Sequence, residues 1–374
     1  MNFPSKTNNL LRQNNSIPVP KERLSSLCTL PSIIEEPYTP ISSNPTCKLL
    51  AFPSTDSSLY PNIEITCQGQ QLQQDCFSPF GSIKFYNIRS TCFKDFPRNK
   101  IRIISQVPKP ESLQSSKWPR CSFFGLYTGH SGNSCASFLK TNLHKCIFES
   151  SHFPHSPKKA IFEGFLKADS MYLELAQENC NFSGAFAVIV LIIGKKCYVA
   201  NTGKTRALIS MNNGTRVIPV SCFHCPENRN EADRVLRAGG KVYKDFVIDK
   251  NGEKQEIGQF KIVPGKKEFT RSFGDPDSKF SQFGGIPNTI IPDPHIKSFK
   301  ISEFCDFLCL TSENITPHFN DQFLVNTFWK SIKEPNSADS PITLRLNYLQ
   351  ELFTEKCKGN SSILLIGLTK LNYE

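Results

Sequence analysis

The alternation of apolar and polar positions changes character about sixty residues into the chain. Residues 1–58 are rich in Pro, Ser, Asn and Thr and show no sustained period. Such a segment buries too little surface to offset its own ordering entropy, so it is expected to be an extended arm. Beyond it the pattern becomes globular, and a domain is expected over 59–374. The longest apolar run, Ala185–Ile193, is Val/Ile-rich and bounded by Gly184 and Gly194, the pattern of a strand buried on both faces. Ala187–Ile193 and Cys197–Asn201 form a hairpin around Gly194-Lys195-Lys196. Arg206–Ser210 and Thr215–Ser221 flank Asn212-Asn213-Gly214, whose Asn-Gly pair suits a tight turn. Phe307–Thr311 and Ser362–Leu368 are further buried strands.

Between the strands the period changes to that of helices, at Ala136–Phe148, Lys159–Ala176, Phe323–Ile332 and Ile342–Cys357. A short helix is expected to begin at Asn230, with Asp233 at capping-box spacing, and to end at Gly239-Gly240. Antiparallel hairpins with separate helices make the fold α+β, with helices outside the sheets.

Composition supports this picture and narrows the function. Of 374 residues, 39% are hydrophobic, enough for one large core. No stretch reaches the ~20 apolar residues of a membrane span, and the first residues lack the apolar block of a secretory signal. The expected location is therefore the cytoplasm, with the 15 cysteines as reduced thiols. Cys222-Phe223-His224-Cys225 has the spacing of half a zinc site, but no second pair completes it.

The net charge is +11, which favours acidic partners. Between Lys84 and Arg120 stand nine basic residues and two acidic ones. Phe85, Tyr86, Phe93, Phe96 and Trp118 interleave these cations, an arrangement suited to an interface. Lys84, Arg89, Lys94, Arg98, Lys100 and Arg102 are the candidate partner-binding residues. No recognised nucleic-acid-binding motif accompanies them, so an acidic protein surface is the expected partner.

Seven short segments, in order, carry a resemblance. They are Phe124–Gly132, Ser183–Ala187, Tyr198–Ala207, Glu231–Val242, Thr270–Asp275, Leu308–Asn314 and Gly359–Ile363, with Gln70–Asp75 a looser match ahead of them. Together they resemble the metal-dependent protein Ser/Thr phosphatases (PPM, or type 2C) over roughly residues 60–370. The resemblance implies a central antiparallel β-sandwich flanked by helices. It also implies a cleft where two Mg²⁺ or Mn²⁺ ions activate water against a phosphomonoester. Measured against that family, the basic stretch 84–120 is an insertion between the first two motifs.

The same resemblance implies that the metal site is degenerate. Gln70 stands where the family has a phosphate-gripping Arg, and Gln74 where it has a metal-binding Glu; Asp75 is retained. Thr128 replaces the bridging Asp, followed by Gly129 and His130, the family's proposed general acid. Glu313-Asn314 replaces Asp-Gly, Ser361 replaces the last metal-binding Asp, and Lys204 stands in place of a further acid. Hard dications need anionic oxygens, so the Mg/Mn pair is expected to be lost and the chain to be a pseudophosphatase without a cofactor. Gly129, Gly132, Gly203 and Gly274 are expected to serve turns, and Arg206 and Asp275 internal hydrogen bonds.

Three functions remain open at this point. The first is a scaffold or structural protein on a larger acidic assembly, such as a cytoskeletal filament or microtubule. The second is a regulatory decoy that binds a phosphoprotein or a partner enzyme through the empty cleft, made cationic by Lys204 and Arg271. The third is a weakly active phosphatase using Asp75, Glu313, Asp275 and Asp306.

Overall fold

The computed structural model describes residues 99–109, 118–332 (the last three by backbone alone), 352, 355–357 and 361–368, together with the backbone of three strands between 76 and 90. The N-terminal arm, Gln70, Gln74, Asp75, Lys84, Phe93, Lys94, Phe96, Arg98 and most of the helix expected at Ile342–Cys357 lie outside these residues.

The described elements begin with a small hairpin, β1 (Cys76–Ser78) with β2 (Gly81–Ile83), and then β3 (Phe85–Ser90). A first large sheet is entered through β4 (Asn99–Ile104) and β5 (Cys121–His130). Helices α1 (Ser134–Phe148) and α2 (Pro157–Glu178) follow. Next come β6 (Gly184–Ile193), β7 (Lys196–Thr202), β8 (Arg206–Met211) and β9 (Arg216–Pro219). Helix α3 (Arg229–Arg237) precedes a long hairpin of β10 (Lys241–Ile248) and β11 (Lys254–Val263). The chain closes through β12 (Phe273–Gly274), α4 (Pro276–Lys279), β13 (His295–Lys300), β14 (Cys305–Thr311), α5 (Asp321–Ile332) and β15 (Ser361–Gly367).

Two antiparallel sheets carry the architecture, in the orders β13-β7-β6-β5-β4, with β12 on β6, and β3-β15-β14-β8-β9. Strand period 2 explains their stacking. On β5, Phe123 and Tyr127 point to a core shared with α1 and α2, while Phe124 and Leu126 point between the sheets. On β14 and β15, Leu308, Leu310, Leu364 and Ile366 face the same interior. Phe307, Cys309, Ile363 and Leu365 face α5. The layers are therefore helix, sheet, sheet, helix, and the expected α+β sandwich is what forms.

Local differences have local causes. The cap of α3 is Asn228, whose side chain accepts from the Asn230 N–H, two residues before the expected start. Gly129 serves no turn; it lies inside β5, opposite Ala185.

The basic stretch is also not wholly an insertion outside the sheets. Its flanks are β3, paired with β15, and β4, paired with β5, so Arg89 occupies a ladder position and Lys100 and Arg102 lie on a core strand. Arg102, read from sequence as partner-binding, is 5% exposed and holds Nη2 3.5 Å from His144 Nε2. It lies beneath α1, because its strand parity is that of Ile104, and so presents no charge to a partner. Trp118 likewise belongs to the helix-side core: it donates Nε1–H to the Val107 carbonyl at 3.1 Å and packs edge-on to Phe153.

Candidate functional site

The C-terminal end of β5 delivers Thr128, Gly129 and His130 to one end of the sandwich. Thr128 stands opposite Asn99 of β4 on one side and Phe186 of β6 on the other. It is 2% exposed, and its hydroxyl makes no hydrogen bond among the described residues. Ser361 opens β15 on the other sheet, 1% exposed, with a hydroxyl in the same condition. Glu313 follows β14 and is partly buried.

His130 is held on several sides. Its Nε2 lies 2.8 Å from Asp275 Oδ2. Asp275 is fully buried and also binds Lys267 Nζ at 2.9 Å and the Ser272 hydroxyl. Burial alone would raise the Asp275 carboxyl, but His130 and Lys267 hold it well below the usual carboxylate range. The imidazole packs against Phe186 and Phe269, with ring centres at 4.7 and 4.9 Å. Two apolar rings therefore flank the residue that the resemblance makes a general acid.

The cations near the cleft are already matched. Lys204 Nζ donates to Gln259 Oε1 at 3.1 Å and lies 3.5 Å from Glu268. Arg271 is joined to buried Glu231 through Nε and Nη2, and to the Asp293 carbonyl through Nη1. Glu231 also accepts from Arg234 at 2.9 Å and from the Thr270 hydroxyl at 2.7 Å. Burial would raise Glu231; the two guanidiniums bring it down to about 2. Arg206 pairs with Asp321 and lies over Phe223. The internal roles expected for Arg206 and Asp275 are therefore the ones observed.

Of the acids proposed for residual single-metal chemistry, Asp75 lies outside the described residues, Asp275 is bound to His130 and Lys267, and Asp306 is engaged elsewhere. Asp306 accepts from Ser210 Oγ and from the Asn213 and Gly214 N–H groups, so it fastens the β8–β9 turn. That turn is at the opposite end of β14 from Glu313. In the Cys222–Cys225 segment, His224 Nδ1 accepts from Gly203 N–H and the Cys222 backbone pairs with Asn201. Among the described residues no three of His, Cys, Asp and Glu gather as a metal-holding group.

Residues 103–349 match the family profile described as Protein phosphatase 2C. The chain belongs to the protein phosphatase 2C family. Protein phosphatase 2C homolog 2 of Hypocrea jecorina is 27% identical over 235 residues, 62% of this chain and 50% of that protein. Probable protein phosphatase 2C 8 of Arabidopsis thaliana is 29% identical, covering 66% of this chain and 69% of that one. The chain thus spans about half the length of some curated relatives. In fold, it is similar to a Toxoplasma gondii serine-threonine phosphatase 2C (TM-score 0.58, 15% identity, 78% of this chain and 96% of that one). It is also similar to a C. elegans sex determining protein (TM-score 0.59, 18% identity, 78% and 65%).

Within the protein phosphatase 2C fold, the residues at the family's metal positions can be weighed as donors. Thr128 and Ser361 offer neutral hydroxyls, and Lys204 offers an ammonium already paired with Glu268. A neutral hydroxyl does not balance a dication and an ammonium repels one, so Thr128 and Ser361, with Lys204 in place of a further acid, do not fit a Mg²⁺ or Mn²⁺ pair, although Glu313 keeps a carboxylate. Gln70, Gln74 and Asp75 lie outside the described residues. Sequence reasoning missed Phe186 and Phe269 around His130, Lys267 on Asp275, and Asn99 beside Thr128. Phe186 was legible as a departure from the Ser-Gly-Ser-Thr-Ala pattern; the other three lie outside every motif.

Proposed function

We propose that this protein phosphatase 2C domain is a catalytically inactive member of its family that acts by binding. The observation that carries this reading is the neutral, buried pair Thr128 and Ser361, one on each sheet, where the chemistry needs carboxylates. Without metal charge, no water is activated at neutral pH, and a lone proton donor accelerates little. Packing of His130 between Phe186 and Phe269 adds to the case.

Manganese-dependent hydrolysis of p-nitrophenyl phosphate by the full chain tests the reading. Turnover equal to that of a Thr128→Ala, Ser361→Ala double variant is expected. Turnover that requires Mn²⁺ and disappears in Glu313→Ala overturns it.

The partner we propose is an acidic protein surface, of which a cytoskeletal filament in the cytoplasm is one kind, gripped by the N-terminal arm and the basic stretch. The support is the net charge of +11 and its concentration between Lys84 and Arg120. With Arg102 withdrawn, Lys84, Arg89, Lys94, Arg98 and Lys100 carry the proposal. Co-sedimentation with microtubules in moderate salt, lost when these five are changed to Ser, would support it; recovery on nucleic acid alone would overturn it. The decoy reading is weaker, because Lys204 and Arg271 are neutralised by Glu268 and Glu231.

A further inference from the structure

The end of the sandwich that holds Thr128 is built on one repeated rule. Along four strands of the two sheets, the last inward-facing aliphatic is followed two residues on by a small neutral polar side chain. Ile101 gives way to Asn99, Leu126 to Thr128, Leu310 to Ser312 and Leu364 to Ser362. Strand parity places Asn99, Thr128 and Ser362 on the same face as their aliphatic neighbours, toward the other sheet, while Ser312 follows the last residue of β14 beside Ser362. All four are buried at 3% exposure or less.

Three of them are joined across the gap. Asn99 Nδ2 donates to Ser362 Oγ at 3.0 Å, which links β4 of the first sheet to β15 of the second. Ser362 N–H donates to Ser312 Oγ at 2.9 Å, and Ser312 N–H donates back to the Ser362 carbonyl at 2.9 Å. Ser362 therefore has its amide, carbonyl and hydroxyl all engaged, and Asn99 reaches it from the opposite sheet.

The family's metal positions are also divided between the sheets, Thr128 on β5 and Ser361 on β15. Thr128 shares the parity of Leu126 and faces the other sheet, whereas Ser361 shares that of Ile363 and Leu365 and faces α5, so neutral hydroxyls at these positions supply no link between the sheets. We infer that the Asn99–Ser362–Ser312 hydrogen bonds are a metal-free clasp that closes this end of the sandwich in place of dications. The clasp makes the stability of the domain independent of divalent metal. It also engages the amide, carbonyl and hydroxyl of Ser362 and links that residue to the opposite sheet, while the Thr128 hydroxyl stays outside the clasp. The inference shares with the proposed function the premise that dications are absent. It is tested by unfolding and not by turnover: strict additivity of the two substitutions would remove the clasp and leave the proposed function standing, whereas a metal-dependent Tm would remove the shared premise.

Thermal unfolding of the full chain is measured in EDTA, in Mg²⁺ and in Mn²⁺, for wild type, Asn99→Ala, Ser362→Ala and the double variant. The expected result is a wild-type Tm that is the same in all three conditions. Each single variant should lower it by roughly 2–4 °C, the size for losing one buried neutral hydrogen bond in a domain of this class. The double variant should lose clearly less than the sum, since both changes remove one bond. A wild-type Tm that rises with Mn²⁺ or falls in EDTA overturns the inference, and so does strict additivity of the two substitutions. Ser362→Ala is the milder change, so the metal comparison can still be made on it if Asn99→Ala fails to fold.

Discussion

Lys279 Nζ donates to both carboxylate oxygens of Asp169, at 2.8 and 2.7 Å, and the pair is buried between α2 and the segment around α4. Asp169 also accepts from the Gly274 N–H at 2.8 Å, and Lys279 donates to the Ser272 carbonyl at 2.9 Å. The next residue, Asp275, adopts a left-handed backbone with φ 55° and carries His130. The ion pair therefore fixes the turn that orients His130 from below, through backbone contacts alone.

Breaking that pair on one side should be costly. Lys279→Met leaves Asp169 buried without its cation and is expected to destabilise the domain by about 3–5 kcal/mol, while adding Asp169→Leu recovers much of the loss. Urea unfolding of the two variants checks this; equal loss in both would show that the charge of Asp169 does not matter.

Gly184 is where His130 and Asp275 meet the sheet. A Cβ there would collide with Asp275 Oδ2 and His130 Nε2. Gly184→Ala is expected to cost about 1–3 kcal/mol, because the ion pair has no free direction in which to retreat. Alanine at exposed Gly252, where a Cβ meets nothing within 4 Å but φ is +81°, controls for backbone strain as opposed to collision.

Two buried histidines, His144 and His224, and the partly buried His295 give the fold a sensitivity to acid. Burial pulls His144 down to about 2, His224 to about 3 and His295 to about 4, with Arg102 adding to the first, Arg271 to the second, and Lys297 and then Arg271 to the third. In the unfolded chain each titrates near 6.5. The depressed folded values make the stability complete above about pH 6.5 and lost progressively as pH falls toward 4. At pH 5 the loss is at most about 2 kcal/mol per histidine. Tm measured from pH 7.5 to 5 should fall, and His144→Gln should flatten the curve by about a third of its drop.

Glu231 should be the most sensitive carboxylate in the region behind the cleft. Glu231→Ala strips Arg271, Arg234 and Thr270 of a common acceptor, and a loss of about 3 kcal/mol is expected, discounted because both guanidiniums keep some solvent. Comparing it with Glu268→Ala, whose carboxylate is exposed and should change stability by less than about 1 kcal/mol, checks the assignment.

These results mark how far the sequence alone reaches. Strand period and turn chemistry determined the two central hairpins, the buried run of β6 and the outer helices, because each depends on neighbours a few residues apart. The ordered motifs determined the family, because each is a local run of residues, and it is the resemblance that sets Thr128, His130 and Ser361 at the positions expected to hold metal and acid. Helix α3 moved by two residues, since Asn228 competed for the cap.

Only tertiary structure decided which charges meet. Arg102 reads as a surface cation among cations, yet the pleat turns it inward under α1. Glu231 and Arg271 belong to separate motifs that join 40 residues apart. Asn99 carries no motif, and it closes the sandwich because the register of β4 sets it beside Thr128 and facing Ser362. The reason is physical: the energy of burying a charge or a polar group is set by what lies across the fold, and sequence spacing does not encode that partner.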